Sequence, residues 1–111
     1  MNMIQVITTT DTLESAEQII ETLLERRLAA CIQVSGPVHS HYTWQGKREK
    51  SREYLLFIKS RGDLYEELEN NIRAMHHYDV PEIISVPITQ GSQGYLSWLN
   101  SYLGPAPTAQ G

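Results

Sequence analysis

The chain has 111 residues, of which 41% are hydrophobic and 20% are charged, and its formal net charge is −4. These values are ordinary for a globular protein and allow one domain with a single modest core. The negative charge argues against a non-specific nucleic-acid-binding protein, because such proteins neutralise phosphates with Lys and Arg. One cysteine excludes an intrachain disulfide and is typical of a reducing compartment, so we expect a cytoplasmic protein. We see no secretory signal and no apolar run of membrane-spanning length, so we expect no membrane partner.

The first two predicted elements are a strand and an amphipathic helix. Residues 4–10 are rich in β-branched side chains, which favour a strand. Asp11 has the character of a helix N-cap, and Glu14 follows three residues later, as in a capping box. The apolar residues that come next recur at helical spacing, namely Ala16, Ile19, Ile20, Leu23 and Leu24. We therefore expect a helix that covers one side of a sheet.

Residues 30–61 predict a long β-hairpin that turns at Gln45-Gly46. Each arm would span on the order of 45 Å. A compact domain of this length has a diameter of only roughly 35 Å, so the tip should project from the domain. Tyr42 and Trp44 near the tip would then need another chain to cover them. Gly36-Pro37 interrupts the first arm, which predicts a bulge or bend.

Two helices and one strand complete the predicted fold. A second helix begins at Gly62-Asp63 and ends near His76, and a strand follows at residues 83–86. Pro87 predicts an edge position for this strand, because Pro cannot donate to the sheet. A short third helix carries Tyr95, Leu96, Trp98, Leu99 and Tyr102. Leu56 lies in an apolar stretch of the predicted third strand. Because apolar and polar residues do not alternate in this stretch, we expect the strand to be buried on both of its faces.

The element order β-α-β-β-α-β with a terminal helix predicts an α+β, ferredoxin-like domain over residues 1–103. Both long helices should cover one face of a four-stranded antiparallel sheet. The other face needs cover from the third helix or from a neighbouring subunit. Residues 104–111 are rich in Gly, Pro and Ala, and we expect them to form a disordered tail.

No motif in the chain points to a catalytic nucleophile or a phosphate-binding loop, so we expect a non-catalytic protein. His39 and His41 lie two residues apart, hence on one face of a strand, where they could ligate a metal or simply face solvent. Cys31 is either a thiolate ligand or a small buried hydrophobic residue. Residues 76–82, which run from His76 to Glu82, are the densest polar cluster on a loop. They either bind a ligand or cap the preceding helix.

Several motifs in order along the chain resemble the CutA family of divalent-cation (copper) tolerance proteins. The motifs are Arg27-Leu28-Ala29-Ala30-Cys31, Tyr42-Thr43-Trp44-Gln45-Gly46-Lys47, Glu53, Ile58-Lys59-Ser60-Arg61, and His76-His77-Tyr78-Asp79-Val80-Pro81-Glu82-Ile83 with Pro87-Ile88. The resemblance covers roughly residues 4–103. The chain departs from the family pattern at Gln33, at His77 and at Gly36-Pro37, so a metal site built on His77, His39 or His41 would be particular to this protein.

The resemblance implies a tight homotrimer whose long hairpins interlock between subunits, with no established catalytic activity. It implies binding of Cu(II) or another divalent metal, for which Cys31, His76 and Glu82 are the candidate ligands, and it implies no organic cofactor. It also implies a cleft between subunits, formed by Tyr42, Trp44, Lys47, Glu53, Lys59 and Tyr78. A thiolate with an imidazole suits copper or zinc better than a hard cation.

Three further hypotheses compete with metal binding, and an enzyme is the weakest of them because no acid-base pair or nucleophile stands out from the spacing. A small-ligand-sensing regulator would bind an anion or metabolite in the clefts between subunits, with Lys47, Lys59 and Arg61 as counter-charges. A plain assembly scaffold would use the polar cluster only to join its subunits. In all of these hypotheses the partner is another copy of this chain. None of them requires nucleic acid or a membrane.

Overall fold

The computed structural model describes residues 2–107, which form one antiparallel sheet with helices packed against it. The strands are β1 (Met3–Thr10), β2 (Cys31–Trp44), β3 (Lys47–Arg61) and β4 (Ile83–Pro87), and the helices are α1 (Leu13–Glu25), α2 (Tyr65–Met75) and α3 (Gln93–Tyr102). The spatial strand order is β2-β3-β1-β4, so β4 is an edge strand, as its proline predicts. This is the predicted α+β, ferredoxin-like architecture with an extended hairpin and a C-terminal helix.

The sheet has one well-covered face and one open face. Alternation along β1 and β3 places Val6 and Ile58 on the covered face, where both are fully buried against α1 and α2. The helices contribute fully buried side chains to the same core, including Ile19, Leu23, Leu68 and Ile72. On the open face, Phe57 is only half-buried. The prediction that β3 is buried on both faces therefore holds for one face and only in part for the other.

The hairpin of β2 and β3 projects from the domain as predicted. Its turn residues Gln45 and Gly46 have φ angles of 51° and 78°, the pattern of a two-residue turn with both central residues in the left-handed region. The radius of gyration is 14.9 Å and the longest dimension is 43 Å, whereas a compact chain of this length would have a radius near ~13 Å. Tyr42 and Trp44 near the tip are 42% and 45% exposed.

The predicted irregularity in β2 is a bulge between Ser35 and Val38, where the pairing register with β3 shifts. Gly36 has a φ angle of 137°, which a residue with a side chain rarely adopts. A Cβ atom there would also lie 3.0 Å from the Glu53 carbonyl oxygen. The bulge thus depends on glycine, and it changes the direction of the arm that leads to the tip.

The N-cap of α1 differs from the sequence prediction. Thr12, not Asp11, has the extended backbone of the cap, and its hydroxyl accepts a hydrogen bond from the Ser15 N–H at 3.0 Å. The capping-box assignment was wrong by one residue, because Asp and Thr are both good caps and stand side by side. Asp11 instead lies with its carboxylate 3.5 Å from Nδ1 of His77.

Helix α3 covers one end of the open face. Arg61, at the end of β3, donates to the Asn100 side chain of α3 and to the Gly104 carbonyl, both at 2.8 Å. The Gly104 N–H donates to the Arg27 carbonyl at 2.9 Å, so the first residue of the predicted tail is held against the domain. Residues 108–111 of that tail lie outside the described part of the chain. The rest of the open face stays uncovered, and there Ile84 and Val86 are 49% and 41% exposed.

Candidate functional site

A cleft of about 670 Å³ lies on the open face where the hairpin leaves the sheet. One wall is the hairpin, and the other is the loop between α2 and β4, hereafter the 76–82 loop. The lining residues are Thr9, Ser40, His41, Tyr42, Trp44, Ser51, Glu53, Tyr78, Asp79, Val80 and Glu82. The structure therefore brings together Tyr42, Trp44, Glu53, Tyr78 and Glu82, which are five of the nine residues predicted from the sequence.

A hydrogen bond between Tyr78 and Glu53 joins the two walls of the cleft. Glu53 is 6% exposed, and the Tyr78 hydroxyl donates to its Oε2 at 2.9 Å. Burial raises the pKa of the Tyr78 phenol well above its usual value, and the hydrogen bond and negative charge of Glu53 raise it further. The phenol is therefore a permanent donor at neutral pH, and it stabilises a carboxylate that would otherwise be buried without a partner.

His76 fixes the start of the 76–82 loop through both ring nitrogens. Nε2 donates to the Thr9 carbonyl oxygen at 2.6 Å, and Nδ1 accepts the Tyr78 N–H at 3.1 Å. A carbonyl can only accept and an N–H can only donate, so the imidazole is neutral with its proton on Nε2. The Tyr78 ring lies against it, with the ring centroids 4.7 Å apart. In this arrangement neither nitrogen of His76 has a free lone pair for a metal.

The hairpin wall carries the two aromatic residues that the sequence singled out. Tyr42 and Ser51 are diagonal neighbours on the two strands, and their hydroxyl oxygens are 2.6 Å apart. Trp44 lies next to the turn, opposite Lys47 in the pairing register. His41 borders the cleft where β2 passes it, but its register partner is Lys50, and alternation directs both side chains to the other face.

Four predicted site residues do not line this cleft: Cys31, Lys47, Lys59 and His76. His76 supports the loop wall, as described above. Lys47 is at the tip, opposite the lining residue Trp44, and is not itself a lining residue. Cys31 and Lys59 are register partners at the opposite end of the hairpin, where Lys59 donates to the Gln33 side chain at 2.9 Å.

The candidate metal ligands do not converge within one chain. His76 contacts Thr9, which is opposite Leu55, whereas Cys31 is opposite Lys59. Four residues of an extended strand separate these positions by roughly 13 Å, much more than the span of a metal site. Within residues 2–107, no group of three or more His, Cys, Asp or Glu side chains is close enough to hold a metal ion. Cys31 instead lies near Tyr95, whose pKa is raised first by burial and then by this thiol.

Two contacts of the site were missed from the sequence. Thr9 takes part through its backbone carbonyl, and no side-chain pattern indicates such a role. Ser51 could have been found, because it lies two residues before Glu53 on a strand and therefore shares a face with it.

Comparisons with known proteins agree with the fold and the motifs. The sequence matches the family described as CutA1 divalent ion tolerance protein over residues 4–102. The divalent-cation tolerance protein CutA of Pyrococcus horikoshii is 42% identical over 97 residues, which are 87% of this chain and 94% of that protein. The chloroplastic protein CutA of Arabidopsis thaliana is 41% identical over 88 residues, 79% of this chain, and these span only 48% of the plant protein.

Solved structures give the same result. The divalent cation tolerance protein Cut A1 from Thermus thermophilus superposes with a TM-score of 0.90 at 36% identity, covering 92% of this chain and 99% of that one. CutA1 from Oryza sativa also superposes with a TM-score of 0.90, at 35% identity, covering 93% of this chain and 94% of that one. A CutA from Archaeoglobus fulgidus that is described as periplasmic superposes with a TM-score of 0.87 at 34% identity, covering 90% of this chain and 97% of that one. In residues 2–107 no helix is long and apolar enough to cross a membrane. The chain belongs to the CutA1 divalent ion tolerance protein family.

Proposed function

We propose that this chain is a homotrimeric, non-catalytic protein of divalent-cation tolerance that binds the cation itself. The observation that carries the proposal is the charge of the cleft. Glu53, Asp79 and Glu82 line it, and no Lys or Arg is among its lining residues in the described chain. Such a surface attracts cations and repels anions.

The same charge distribution makes the ligand-sensing alternative less favourable. None of the three cations suggested as counter-charges for an anionic metabolite is among the lining residues of the cleft. Lys59 binds the Gln33 side chain, and Arg61 binds Asp63, Asn100 and Gly104. Lys47 lies at the hairpin tip. An anion in the cleft would therefore meet carboxylates with no Lys or Arg among the lining residues to compensate them.

Trimeric assembly is supported by the apolar surface that the single chain leaves open. Tyr42, Trp44, Ile84 and Val86 are each more than 40% exposed on one face of the sheet and its hairpin. Exposed apolar area of this extent is typical of subunit interfaces. The number three comes from the family resemblance. A cytoplasmic location also stays a prediction, since relatives described as chloroplastic and periplasmic show that the family is not confined to one compartment.

The metal ligands Cys31, His76 and Glu82 can share an ion only between subunits, because they lie apart within one chain. Cys31 supplies the soft thiolate that copper prefers, and Glu82 supplies a carboxylate that faces the cleft. Recruitment of His76 would break its hydrogen bond to Thr9 or to Tyr78. We therefore rank His76 below Cys31 and Glu82 as a ligand.

Calorimetric titration of the assembled protein with Cu(II) and with Zn(II) tests the proposal. We expect binding by the wild type, at least tenfold weaker binding by Cys31→Ser and by Glu82→Gln, and a smaller effect of His76→Gln. His77→Gln is the matched control, since that ring is exposed and outside the cleft lining. No heat of binding from either metal, with the oligomer intact by light scattering, would refute cation binding.

Assembly has a separate test. The double variant Tyr42→Ala/Trp44→Ala removes the exposed aromatic residues of the hairpin, and we expect its mass by light scattering to fall toward that of one chain at micromolar concentration. Leu24→Ala is the control, because Leu24 is 42% exposed on α1, which packs on the covered face of the sheet, and it does not line the cleft. A double variant that stays trimeric and equally stable would show that these aromatics are not interface anchors.

A further inference from the structure

The hairpin carries a row of cations on the face opposite the cleft. Arg48, Lys50 and Arg52 alternate along β3, so their side chains share one face. The residues opposite Lys50 and Arg52 on β2 are His41 and His39. All five side chains are exposed. We call this surface, formed by His39, His41, Arg48, Lys50 and Arg52, the basic face.

Apart from Lys47 beside the turn, charge is segregated between the two sides of the hairpin near its tip. The acidic residues of this part of β3, Glu49 and Glu53, alternate with the cations and therefore face the cleft side. The side-chain ion pairs found within residues 2–107 join other residues, so the positive charge of the basic face is not neutralised by them. Three of the chain's nine Lys and Arg residues thus concentrate at one exposed place on a protein with a net charge of −4. Such a patch attracts an anionic partner locally.

The residues opposite His39 and His41 make a metal site on the basic face unfavourable. His39 and His41 have the ligand spacing of a strand metal site, but each is directly opposite a cation. Cross-strand partners lie about 5 Å apart, close enough for Arg52 and Lys50 to repel a divalent ion. The same positions suit carboxylates, which accept hydrogen bonds from imidazole N–H groups as well as from Arg and Lys.

The geometry favours a peptide over a nucleic acid. Alternate side chains on an extended strand recur at about 6.6 Å, so a second extended chain with acidic residues at every other position matches the cation row. A single-stranded nucleic acid would gain from aromatic stacking, but Tyr42 and Trp44 are on the cleft side of the hairpin. The guanidinium of Arg52 lies 5.6 Å from the centre of the Tyr54 ring, a contact that holds one end of the row in place.

We propose that the basic face binds an extended acidic segment of a partner protein. The segment lies along β3 and places alternate carboxylates against Arg52, Lys50 and Arg48, while His39 and His41 add donors from β2. This interaction is independent of cation binding in the cleft, because it uses the opposite face of the hairpin. It gives the projecting arm a recognition role in addition to any role in assembly.

The test uses the whole protein and a fluorescein-labelled peptide of four Glu-Thr repeats, with fluorescence anisotropy read at physiological ionic strength to suppress non-specific attraction. We expect saturable binding, and binding about tenfold weaker for Arg48→Gln/Lys50→Gln, which removes two exposed charge contacts. Arg52 is retained in this variant because it packs on Tyr54. The matched control Arg26→Gln/Arg73→Gln changes the net charge equally at exposed positions outside the hairpin and should bind within about twofold of the wild type.

Two further probes separate this partner from other occupants. A peptide with four Glu followed by four Thr has the same charge without the alternation, and we expect it to bind at least fivefold more weakly. Equal binding of that block peptide, or equal binding by the Arg48/Lys50 variant, would overturn the proposal. So would tighter binding of an octathymidylate, which would assign the face to nucleic acid. Self-association that is lost in the Arg48/Lys50 variant would assign it to a second copy of this chain and would also overturn the proposal. Each variant should unfold at the same temperature as the wild type in a thermal melt. A loss of binding then does not result from a loss of folding.

Discussion

The Tyr78 hydroxyl and the Glu53 carboxylate meet at 2.9 Å, and this contact joins residues 25 positions apart in the chain. Glu53 belongs to the hairpin, and Tyr78 belongs to the 76–82 loop. One hydrogen bond therefore sets the distance between the two walls of the cleft. It also satisfies a carboxylate that is almost fully buried.

Replacement of Tyr78 by Phe removes the donor and leaves Glu53 buried without it. We expect the free energy of unfolding to fall by about 1–3 kcal/mol, the cost of an unsatisfied buried charged group. Urea unfolding at one fixed protein concentration measures the change. Tyr65→Phe is the control, because its partner Glu69 is 32% exposed and water can replace the lost hydroxyl; we expect less than about 1 kcal/mol there. Equal losses in the two variants would show that burial of Glu53 does not matter.

Alkaline pH should weaken the wild type more than the Tyr78→Phe variant. The pKa of Tyr78 is raised in the folded chain, first by burial and then by Glu53, above its ordinary value of 10.0. A group with a raised folded pKa contributes its full stability below the unfolded pKa, and that contribution is lost as the pH rises through the folded pKa. We therefore expect the stability difference between wild type and variant to be constant from pH 7 to 9 and to shrink above about pH 10. Tyr65 and Tyr95 also have raised pKa values and are present in both proteins, so their contributions cancel. A stability difference between the two proteins that grew above pH 10 would contradict a raised pKa of Tyr78 in the folded chain.

His76→Phe keeps a ring of similar size and removes both hydrogen bonds of the imidazole. We expect a loss of about 1–3 kcal/mol in unfolding free energy, because the Thr9 carbonyl loses its donor and the Tyr78 N–H loses its acceptor. Hydrogen exchange should also show faster exchange of the Tyr78 amide, since the loop is released at its first residue. His77→Phe changes the neighbouring exposed ring and should cost under about 0.5 kcal/mol. Unchanged protection of the Tyr78 amide in His76→Phe would mean that other contacts hold the loop.

Two glycines in open space should respond in opposite directions to replacement by alanine. Gly46 has a φ angle of 78°, whereas Gly94 lies in the first turn of α3, and a Cβ atom at either position would meet nothing within 4 Å. Gly46→Ala should destabilise by about 1 kcal/mol, because the left-handed region is unfavourable for a residue with a Cβ atom. Gly94→Ala should stabilise by up to about 1 kcal/mol, because alanine is the better helix former. Thermal unfolding of the two variants measures both changes in stability. A change of the same sign in both variants would show that backbone conformation does not govern stability at these sites.

Local signals in the sequence were sufficient for the elements and their order. The turn at Gln45-Gly46, the bulge after Ser35 and the edge position of β4 each follow from a glycine or a proline whose backbone requirement is specific. The N-cap of α1 was misplaced by one residue, because Asp11 and Thr12 are both good N-cap residues and stand next to each other.

The site could be predicted only in part. The resemblance grouped nine residues, of which Tyr42, Trp44, Glu53, Tyr78 and Glu82 line one cleft in the structure. Cys31 and Lys59 were grouped with them although they lie at the far end of the hairpin. Motif residues carry no information on their separation along a strand until the pairing register is known. The register also placed His39 and His41 opposite cations, which the sequence alone did not indicate.

The sequence by itself determined a ferredoxin-like order of elements, a hairpin too long for its own domain, and the aromatic residues near the hairpin tip. Those features depend on contacts between residues close in the chain, where periodicity and turn chemistry act directly. Only the tertiary structure decided that both nitrogens of His76 are engaged and that Tyr78 reaches Glu53. It also decided that Arg48, Lys50 and Arg52 of β3 face away from the cleft. These facts depend on strand register and on distant side chains that meet after folding, and a shift of one residue in register would exchange the two faces of the hairpin.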